Sequence, residues 1–396
     1  MKRLAICFSG MLTSFHTASV ILILGCSLST LIAGGRLSNT NKPSGALRAV
    51  FIHHSTGEAW LADDHGGLGK ALRDNNYFVS DTNYGWGPDG IGDTTDIGHW
   101  WRWFRGPESP RYLAALFDES GQNCDYSRMA TAVAGPNRIV LFKSCFPNSA
   151  LQGNPGEAIP AIAQNPLREQ DSSSAAHTVA NAKGIYLDLL NYFGAMPDKL
   201  FVAITAPPLS DGTYASNARA FNQWLVEDWL TGYPGNNVFV WDFYNVLTSN
   251  GGSPEVNDLG LETGNHHRWW QGKVQHQTNG GANVAAYPSD DDHPNAAGDR
   301  KATAEFVPLL NAAVNAWLAA PANPPAFTSV RLSDQRCALT LGNLLPGANY
   351  TIQRCSDLGS GSWVDAETFV GQSEVSNWVD PVRIPSPRMY YRIRRD

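Results

Sequence analysis

Short apolar runs alternate with amphipathic stretches from about residue 46 to residue 318. Runs of this kind, separated by helical stretches, are typical of parallel strands that are buried on both faces. The predicted strands lie at 49–52, 77–79, 139–142, 200–204 and 238–241. This order of elements predicts an α/β domain built around a parallel sheet.

The stretches between these runs carry apolar residues at helical spacing. In 178–193, for example, Ile185, Leu189 and Tyr192 fall on one face of a helix. Further helices are predicted at 68–72, at 217–230 and from Pro294 to Leu318. Helices therefore precede or follow most of the predicted strands, as a sheet covered on both faces requires.

An Ala- and Pro-rich stretch at 320–326 ends this pattern and is predicted to be a linker. Beyond it the apolar positions alternate, as in 337–341 and 390–393, and turn residues separate the runs. An alternation of period two predicts a small all-β module at 327–396. That module resembles the fibronectin-III/Ig-like β-sandwich modules that follow many secreted bacterial enzymes.

The composition favours a well-packed protein that is exported. Of the 396 residues, 43% are hydrophobic, and this fraction is ample for a core. Only 16% are charged, and this fraction is low for a cytosolic protein. The net charge of -7, with no long basic run, argues against nucleic acid as a partner.

Residues 1–35 are predicted to be an export signal, because Lys2 and Arg3 precede an apolar stretch. The purely apolar part is short for a membrane span. Leu24-Gly25-Cys26 resembles a bacterial lipobox, so simple secretion and membrane attachment through a lipidated Cys26 are both open. We expect a secreted, periplasmic or cell-surface protein whose α/β domain occupies residues 45–319.

Four cysteines lie outside the predicted signal. In an oxidising compartment Cys124 can pair with Cys145, and Cys337 with Cys355. The second pair is slightly favoured, since its members fall on neighbouring predicted strands. Four buried free thiols are the alternative.

The strongest candidate chemistry lies in the segment 289–295. Asp290 stands three residues before His293, and Ser55 follows the first predicted strand. Ser, Asp and His in this chain order occur in one kind of hydrolytic triad. In such a triad His293 takes the proton of Ser55, and Asp290 holds the imidazole in the required tautomer.

Other interpretations of the same segments stay open. Two sets of neighbours compete for these roles: Asp291 and Asp292 for the orienting carboxylate, and Ser144 and Cys145 for the nucleophile. Ser55 by itself fits a helix N-cap. The acidic run also fits a solvated turn or a calcium site.

Taken together, these blocks resemble the SGNH/GDSL hydrolase superfamily over about 47–318. A Ser after strand one, a Gly loop after strand two, an Asn after strand three and an Asp-x-x-His block before the last helix follow that family's order. The chain has His53-His54-Ser55 where the family usually has Gly-Asp-Ser. The third block, at 143–148, also departs from the family's Gly-x-Asn-Asp. The resemblance implies a flavodoxin-like three-layer α/β/α domain and a triad of Ser55, Asp290 and His293.

The resemblance also implies an oxyanion hole. Its expected donors are the side chain of Asn148 and a glycine in the loop 84–92, with Gly92 chosen over Gly90. The backbone N–H of Ser55 is a further candidate donor.

Two histidines and two tryptophans are candidate substrate-binding residues: His53, His54, Trp100 and Trp269. The histidines adjoin the nucleophile. The tryptophans fall in long segments between predicted elements, where a flat ring suits a sugar, although such residues also fill cores.

No metal or cofactor is expected. A metal site with the acidic run has three candidate histidine ligands, His266, His267 and His276, but they lack tight ligand spacing.

The sequence therefore favours a secreted serine esterase that hydrolyses an O-acyl ester, with O-acetyl among the candidates. The expected substrate is a polysaccharide or small-molecule ester. One rival is a metal-dependent phosphoesterase that uses the His and Asp residues. The other is a non-catalytic carbohydrate-binding or surface protein on the same fold.

Overall fold

The computed structural model describes twelve ranges of the chain, and all structural statements below refer to them. They are residues 4–5, 39–233, 235–248, 267–270, 273–276, 283–319, 326–333, 336–344, 349–357, 362–373, 375–383 and 389–395. The chain divides into two compact units, Ile32–Ala320 and a second unit that combines Met1–Leu31 with Pro321–Asp396.

The strands are β1 (Leu4–Ala5), β2 (Leu47–Ile52), β3 (Tyr77–Thr82), β4 (Ile139–Lys143), β5 (Leu200–Ile204), β6 (Val238–Trp241), β7 (His267–Trp270), β8 (Lys273–His276), β9 (Ala326–Ser333), β10 (Arg336–Gly342), β11 (Asn349–Cys355), β12 (Val364–Val370), β13 (Ser376–Val379) and β14 (Tyr390–Arg395). The α-helices are α1 (Ser55–Leu61), α2 (Leu68–Asp74), α3 (His99–Phe104), α4 (Ser109–Asp118), α5 (Val179–Ala195), α6 (Ala215–Glu227), α7 (Phe243–Thr248) and α8 (Ala296–Ala319). Short 3-10 helices span Pro88–Asp93, Phe146–Ser149 and Ile162–Gln164.

The larger unit contains a five-stranded parallel sheet in the order β3-β2-β4-β5-β6. Counted along the chain, this order is 2-1-3-4-5, which is one of the common doubly wound orders. The chain leaves β2 for β3 on one side and later returns to place β4 on the other side. The switch point of the sheet therefore lies between the carboxyl ends of β2 and β4.

Alternating residues of each strand enter two separate cores, one on each face of the sheet. Phe51 and Leu141 belong to a core that includes residues of α1, α2, α7 and α8. Val50 and Phe142 belong to the other core, which includes residues of α3 to α6. Because both faces are covered, the strands consist almost wholly of buried apolar residues, which is why they were visible in the sequence.

All five predicted strands and the long predicted helices are confirmed. The predicted strand at 200–204 matches β5, and the helix predicted at 178–193 is α5, which begins after an N-cap at Thr178. Four short helices were not predicted: α1, α3, α4 and α7. Each is at most ten residues long, so few turns were available to establish a helical period.

The C-terminal region consists of antiparallel β-structure. Its two sheets have the orders β13-β10-β9 and β1-β14-β11-β12. Residues of both sheets share one hydrophobic core, to which β10 contributes Leu339, β11 contributes Ile352 and β14 contributes Ile393. An all-β module after the α/β domain is therefore present as predicted.

Several predictions concern residues outside the described ranges. These are the export signal at 1–35, apart from the backbone of β1, the lipobox cysteine Cys26, and most of the linker at 320–326. Within the described part of the chain, no helix has the length and apolar character needed to cross a bilayer.

Neither of the two candidate disulfides is formed. Cys124, Cys145, Cys337 and Cys355 are all free thiols. Cys337 lies on β10 and Cys355 on β11, and these strands belong to different sheets rather than to one pair of neighbours. The pattern of alternation placed both residues on strands but did not reveal which sheet each strand joins.

Candidate active site

Ser55 lies at the switch point of the sheet, where a doubly wound fold forms its sites. Strand β2 ends at Ile52, two linking residues follow, and Ser55 is the first residue of α1. Its backbone N–H is in the first turn of the helix, where amides have no intrahelical partner. The close turn requires a glycine at position 57, because any Cβ there would collide with the His53 side chain.

His293 reaches Ser55 from the opposite end of the domain sequence. Its Nε2 lies 3.0 Å from Ser55 Oγ, although the two residues are 238 positions apart. The edge of the Phe146 ring packs against the imidazole, with the ring centroids 4.9 Å apart. The structure thus brings the predicted nucleophile and base to hydrogen-bonding distance.

The carboxylate beside His293 is that of Asp291, and the prediction of Asp290 is corrected. Asp291 Oδ1 lies 2.9 Å from His293 Nδ1 and also accepts a hydrogen bond of 2.8 Å from the His293 backbone N–H. The hydroxyl of Ser289 donates to the same oxygen. Asp290 is exposed, and Asp292 accepts from the backbone of Ser210 instead.

The reason for this correction is the shape of the turn. Ser289 bonds the His293 carbonyl through its backbone N–H and its hydroxyl, at 3.1 and 2.8 Å, which bends 289–293 into a tight turn. In that turn the residue two positions before His293 faces its ring. Hydrogen bonds lower the pKa of Asp291 to about 2. The bond from the His293 backbone has the largest effect, and the bond from the His293 ring has the next largest.

Cys145 joins the same group of side chains from the end of β4. Its Sγ lies 3.4 Å from Ser55 Oγ and 2.7 Å from Thr56 Oγ1. Burial alone would raise the pKa of its thiol, but the buried ammonium of Lys143 and hydrogen bonds from His293, Ser55 and Thr56 lower it to about 6. Burial also lowers the pKa of Lys143, which the negative charge of Cys145 opposes.

Cys145 changes the protonation of His293 in return. The hydrogen bond between them is the largest of the interactions that raise the pKa of His293 to about 9; partial desolvation opposes it and Asp291 adds to the rise. These opposite shifts favour the thiolate–imidazolium form of the pair. His293 is then a hydrogen-bond donor at both ring nitrogens.

Asn148 does not point its amide at Ser55, and its prediction as an oxyanion donor is corrected. Its Nδ2 donates to Asp96 Oδ1 at 2.6 Å and to the Cys145 carbonyl at 3.3 Å, and its Oδ1 accepts from the Ile97 backbone at 2.8 Å. The side chain is buried. Asn148 therefore holds the segment after β4 to the segment before α3.

Gly92 is likewise not free to serve as an oxyanion donor. Its N–H donates to the Trp86 carbonyl at 2.9 Å, and its carbonyl contacts His54 Nε2. A Cβ at this position would collide with the Asn83 carbonyl and with Trp86. The glycine is required for close packing of the loop.

His54 supports the loop that contains Gly92, and its prediction as a substrate-binding residue is corrected. It is buried, its Nε2 contacts the Gly92 carbonyl, and its Nδ1 lies 3.0 Å from Thr95 Oγ1. Burial lowers the pKa of the imidazole. A neutral ring that donates to Gly92 and accepts from Thr95 satisfies both partners.

Tyr84 was missed by the sequence analysis and lies beside the nucleophile. Its ring stacks on His54, with the centroids 4.0 Å apart, and the Ser55 side chain interacts with its phenol. Partial burial raises the pKa of the phenol more than the interaction with Ser55 lowers it, so it remains a donor at neutral pH. A signal was available, because Tyr84 opens the Gly-rich loop that follows β3.

Two of the other predicted substrate-binding residues, His53 and Trp100, do not lie at an open surface. His53 is fully buried against Asp81, and Trp100 is fully buried in the core on α3, where it donates to Ser144 Oγ. Trp100 was placed in an inter-element segment because α3 spans only six residues. Trp269 lies on β7, and its side chain is outside the described residues.

The candidate metal site with the acidic run falls mostly on residues that are not described. His266 lies outside the described residues, as do the side chains of His267 and His276, whose backbones pair across β7 and β8.

Comparisons with known proteins identify no family for this chain. No protein-family model matches the sequence, and no curated protein matches it significantly. The structure is similar to that of a gut microbial diltiazem-metabolizing enzyme, with a TM-score of 0.33 and 10% sequence identity, over 86% of this chain and 74% of that chain. At this score and identity the likeness establishes neither the family nor the reaction of this chain.

Proposed function

We propose that the α/β domain is a divergent SGNH/GDSL-type esterase that cleaves carboxylic esters through Ser55, His293 and Asp291. The observation that carries the proposal is the continuous contact from Ser55 Oγ through both ring nitrogens of His293 to Asp291 Oδ1, at 3.0 and 2.9 Å. The doubly wound strand order and the position of Ser55 at the switch point support it.

The proposed reaction has two halves. Neutral His293 takes the proton of Ser55 as Oγ attacks the ester carbonyl, and the resulting imidazolium gives that proton to the departing alcohol. The acyl group remains on Oγ. Water then attacks the acyl-enzyme, loses its proton to His293, and releases the carboxylic acid and the Ser55 hydroxyl.

The oxyanion donors in this proposal differ from those of the family pattern. Asn148 and Gly92 are committed to other partners. The groups at hand are the Ser55 backbone N–H, in the first turn of α1, and the hydroxyl of Tyr84 beside Ser55 Oγ. A phenol and a backbone amide are both suitable donors to a developing oxyanion.

We still expect the protein to be exported. The expected substrate is an O-acyl ester of a carbohydrate or of a small molecule. The burial of Trp100 removes one argument for sugar stacking. The metal-dependent phosphoesterase has no support from the contacts of His293, which are with Ser55, Asp291 and Cys145.

Labelling by a fluorophosphonate, together with hydrolysis of a panel of esters, tests the proposal. We expect wild-type protein to be labelled on Ser55 and to hydrolyse short-chain aryl esters or acetylated polysaccharides in the presence of a chelator. The panel distinguishes aryl from carbohydrate alcohols. A folded protein that is neither labelled nor active on any ester of the panel would refute the proposal.

Cys145 makes a second nucleophile chemically reasonable, because its pKa of about 6 gives a thiolate at neutral pH beside an imidazolium. A thiolate could attack the same carbonyl, with His293 protonating the leaving group. The two proposals differ in the behaviour of the alanine variants. They also differ in the dependence on pH.

If Ser55 is the nucleophile, ester hydrolysis is expected to rise with pH until about pH 9. His293 must lose its proton before it can accept that of Ser55, and this proton is held with a pKa of about 9. Two pH units below this pKa only about one hundredth of the base form remains, so the rate should fall about 100-fold. The measurement is kcat/KM from pH 6 to pH 10.

In Cys145→Ala the rising limb should move to lower pH, because the largest interaction that raises the pKa of His293 is removed. The activity at neutral pH should therefore increase. An unchanged limb would show that Cys145 does not control His293. Complete loss in Cys145→Ala, with activity kept in Ser55→Ala, would transfer the role of nucleophile to the thiol.

A further inference from the structure

Side chains from three separate segments converge near the end of β2. They are His53, directly after β2, Asp81 on β3, and Cys124 in the segment that follows α4. His53 and Asp81 are fully buried, and Cys124 is half-buried. Their donor atoms all lie within 4.8 Å of one another.

The distances among these atoms match the corners of a tetrahedral metal site. His53 Nε2 lies 3.2 Å from Asp81 Oδ2, and Cys124 Sγ lies 3.4 Å from Asp81 Oδ2 and 4.0 Å from His53 Nε2. Tetrahedral zinc, with bonds of about 2.0 to 2.3 Å, separates such donors by about 3.3 to 3.6 Å. A shift of Cys124 by about half an ångström would complete the fit.

The surroundings of Asp81 direct one oxygen toward this point. Its Oδ1 accepts hydrogen bonds from the Tyr126 hydroxyl at 2.9 Å and from the Asn123 backbone at 2.8 Å. Its Oδ2 is the oxygen that faces His53 and Cys124. Carboxylates that bind a metal are commonly oriented in this way by outer hydrogen bonds.

His53 can adopt the tautomer that a metal ligand requires. Its Nδ1 lies 3.4 Å from the His54 carbonyl, so a proton on Nδ1 leaves the Nε2 lone pair for a cation. The alternative is a buried hydrogen-bonded cluster, in which Nε2–H and the Cys124 thiol both donate to Asp81 Oδ2.

We propose that His53, Asp81 and Cys124 form a binding site for a divalent cation of the zinc class, with three protein ligands. Binding replaces the thiol proton of Cys124, which is released to solvent, and leaves a thiolate–metal bond. The cation joins the ends of β2 and β3 to the segment after α4. This inference is independent of the proposed ester hydrolysis, because none of the three residues contacts the ester in that reaction.

Titration of the full chain with Co²⁺ tests the site. The protein is first stripped with a chelator and kept reduced, and the thiolate-to-cobalt charge-transfer band in the near ultraviolet is followed. We expect one Co²⁺ per chain and loss of the band when Zn²⁺ is added. Zn²⁺ should also raise the Tm of the wild-type protein, since it binds the folded state.

The matched variants are Cys124→Ser and Cys145→Ser, which change the two half-buried free thiols of the same domain. Cys124→Ser should lose the band and the rise in Tm, whereas Cys145→Ser should keep both. Tyr126→Phe retains all three ligands and should weaken Co²⁺ binding about 10-fold, because Asp81 loses an orienting bond. Circular dichroism checks that each variant is folded.

The proposal is overturned if stripped wild-type protein shows no thiolate–cobalt band. It is also overturned if the band survives in folded Cys124→Ser or disappears in Cys145→Ser, since the cation would then bind at the other thiol. Should Cys124→Ser not fold, unchanged affinity in Tyr126→Phe would count against the site and the 10-fold loss would support it.

Discussion

Ser55→Ala is expected to lower the turnover of a soluble ester by a factor on the order of 10³ to 10⁶. The hydroxyl that lies 3.0 Å from His293 Nε2 is the atom that forms the acyl-enzyme in the proposed reaction. Its loss removes the covalent path altogether and leaves only the binding groups. Initial rates on an aryl acetate, measured near pH 10 where most of His293 is neutral, provide the number.

Ser329→Ala is the matched control for this variant. Ser329 is an exposed serine on β9 of the C-terminal unit, and its hydroxyl donates to Thr340. It should keep the wild-type rate and the wild-type fluorophosphonate labelling, whereas Ser55→Ala should lose both. If folded Ser55→Ala retained more than about a tenth of the activity, the assignment of the nucleophile would be wrong.

Asp291→Asn is expected to lower kcat by a factor on the order of 10² to 10⁴. The carboxylate accepts a hydrogen bond from Nδ1–H of His293. It therefore favours the tautomer with the proton on Nδ1, which leaves the lone pair of Nε2 facing Ser55. An amide can present its N–H₂ group to Nδ1 and stabilise the wrong tautomer. Because Asp291 is exposed, solvent can replace part of its effect, so the lower end of this range is expected.

Asp290→Asn makes the same change in charge one position away and is the matched control. Asp290 is exposed and belongs to the same turn, so any general effect of charge should appear in both variants. We expect Asp290→Asn to stay within about 3-fold of the wild-type kcat, as is usual for an exposed residue without a special contact. A larger loss of kcat in Asp290→Asn than in Asp291→Asn would return the orienting role to Asp290, as the three-residue spacing of the family pattern implied.

The pH dependence separates Asp291 from His293. The pKa of Asp291 is lowered to about 2, so the carboxylate is lost only in strong acid. The pKa of His293 is raised to about 9, so its function as a base is lost as the pH falls through that value. The rise in activity between pH 7 and pH 9 therefore reports His293.

The sheet was predictable because each of its strands can be recognised from its own short segment of sequence. Runs such as 139–142 and 200–204 are apolar at every position, since both faces of a parallel sheet are buried. α3 was not predictable in the same way. Its six residues include three tryptophans, of which Trp100 and Trp103 enter the core, and a stretch so short resembles an irregular segment.

The candidate site was predictable only in part. Ser55 and His293 follow from residue type and position, because a Ser after the first strand and a His before the last helix both end at the carboxyl edge of a parallel sheet. The roles of Asn148 and Gly92 did not follow. Both residues occur where the family pattern places oxyanion donors, but neighbouring carbonyls and Asp96 occupy their N–H groups.

The sequence by itself determined the α/β unit, the β module and the two residues that meet at the edge of the sheet. Those features depend on periodicity and on residue type, which are properties of single segments. Tertiary structure alone decided that Asp291 faces His293, that Cys145 lies beside Ser55, and that Cys124 joins His53 and Asp81. The contact of Asp291 depends on the tight turn that Ser289 closes onto His293. The other two contacts depend on how separate segments of the chain approach one another.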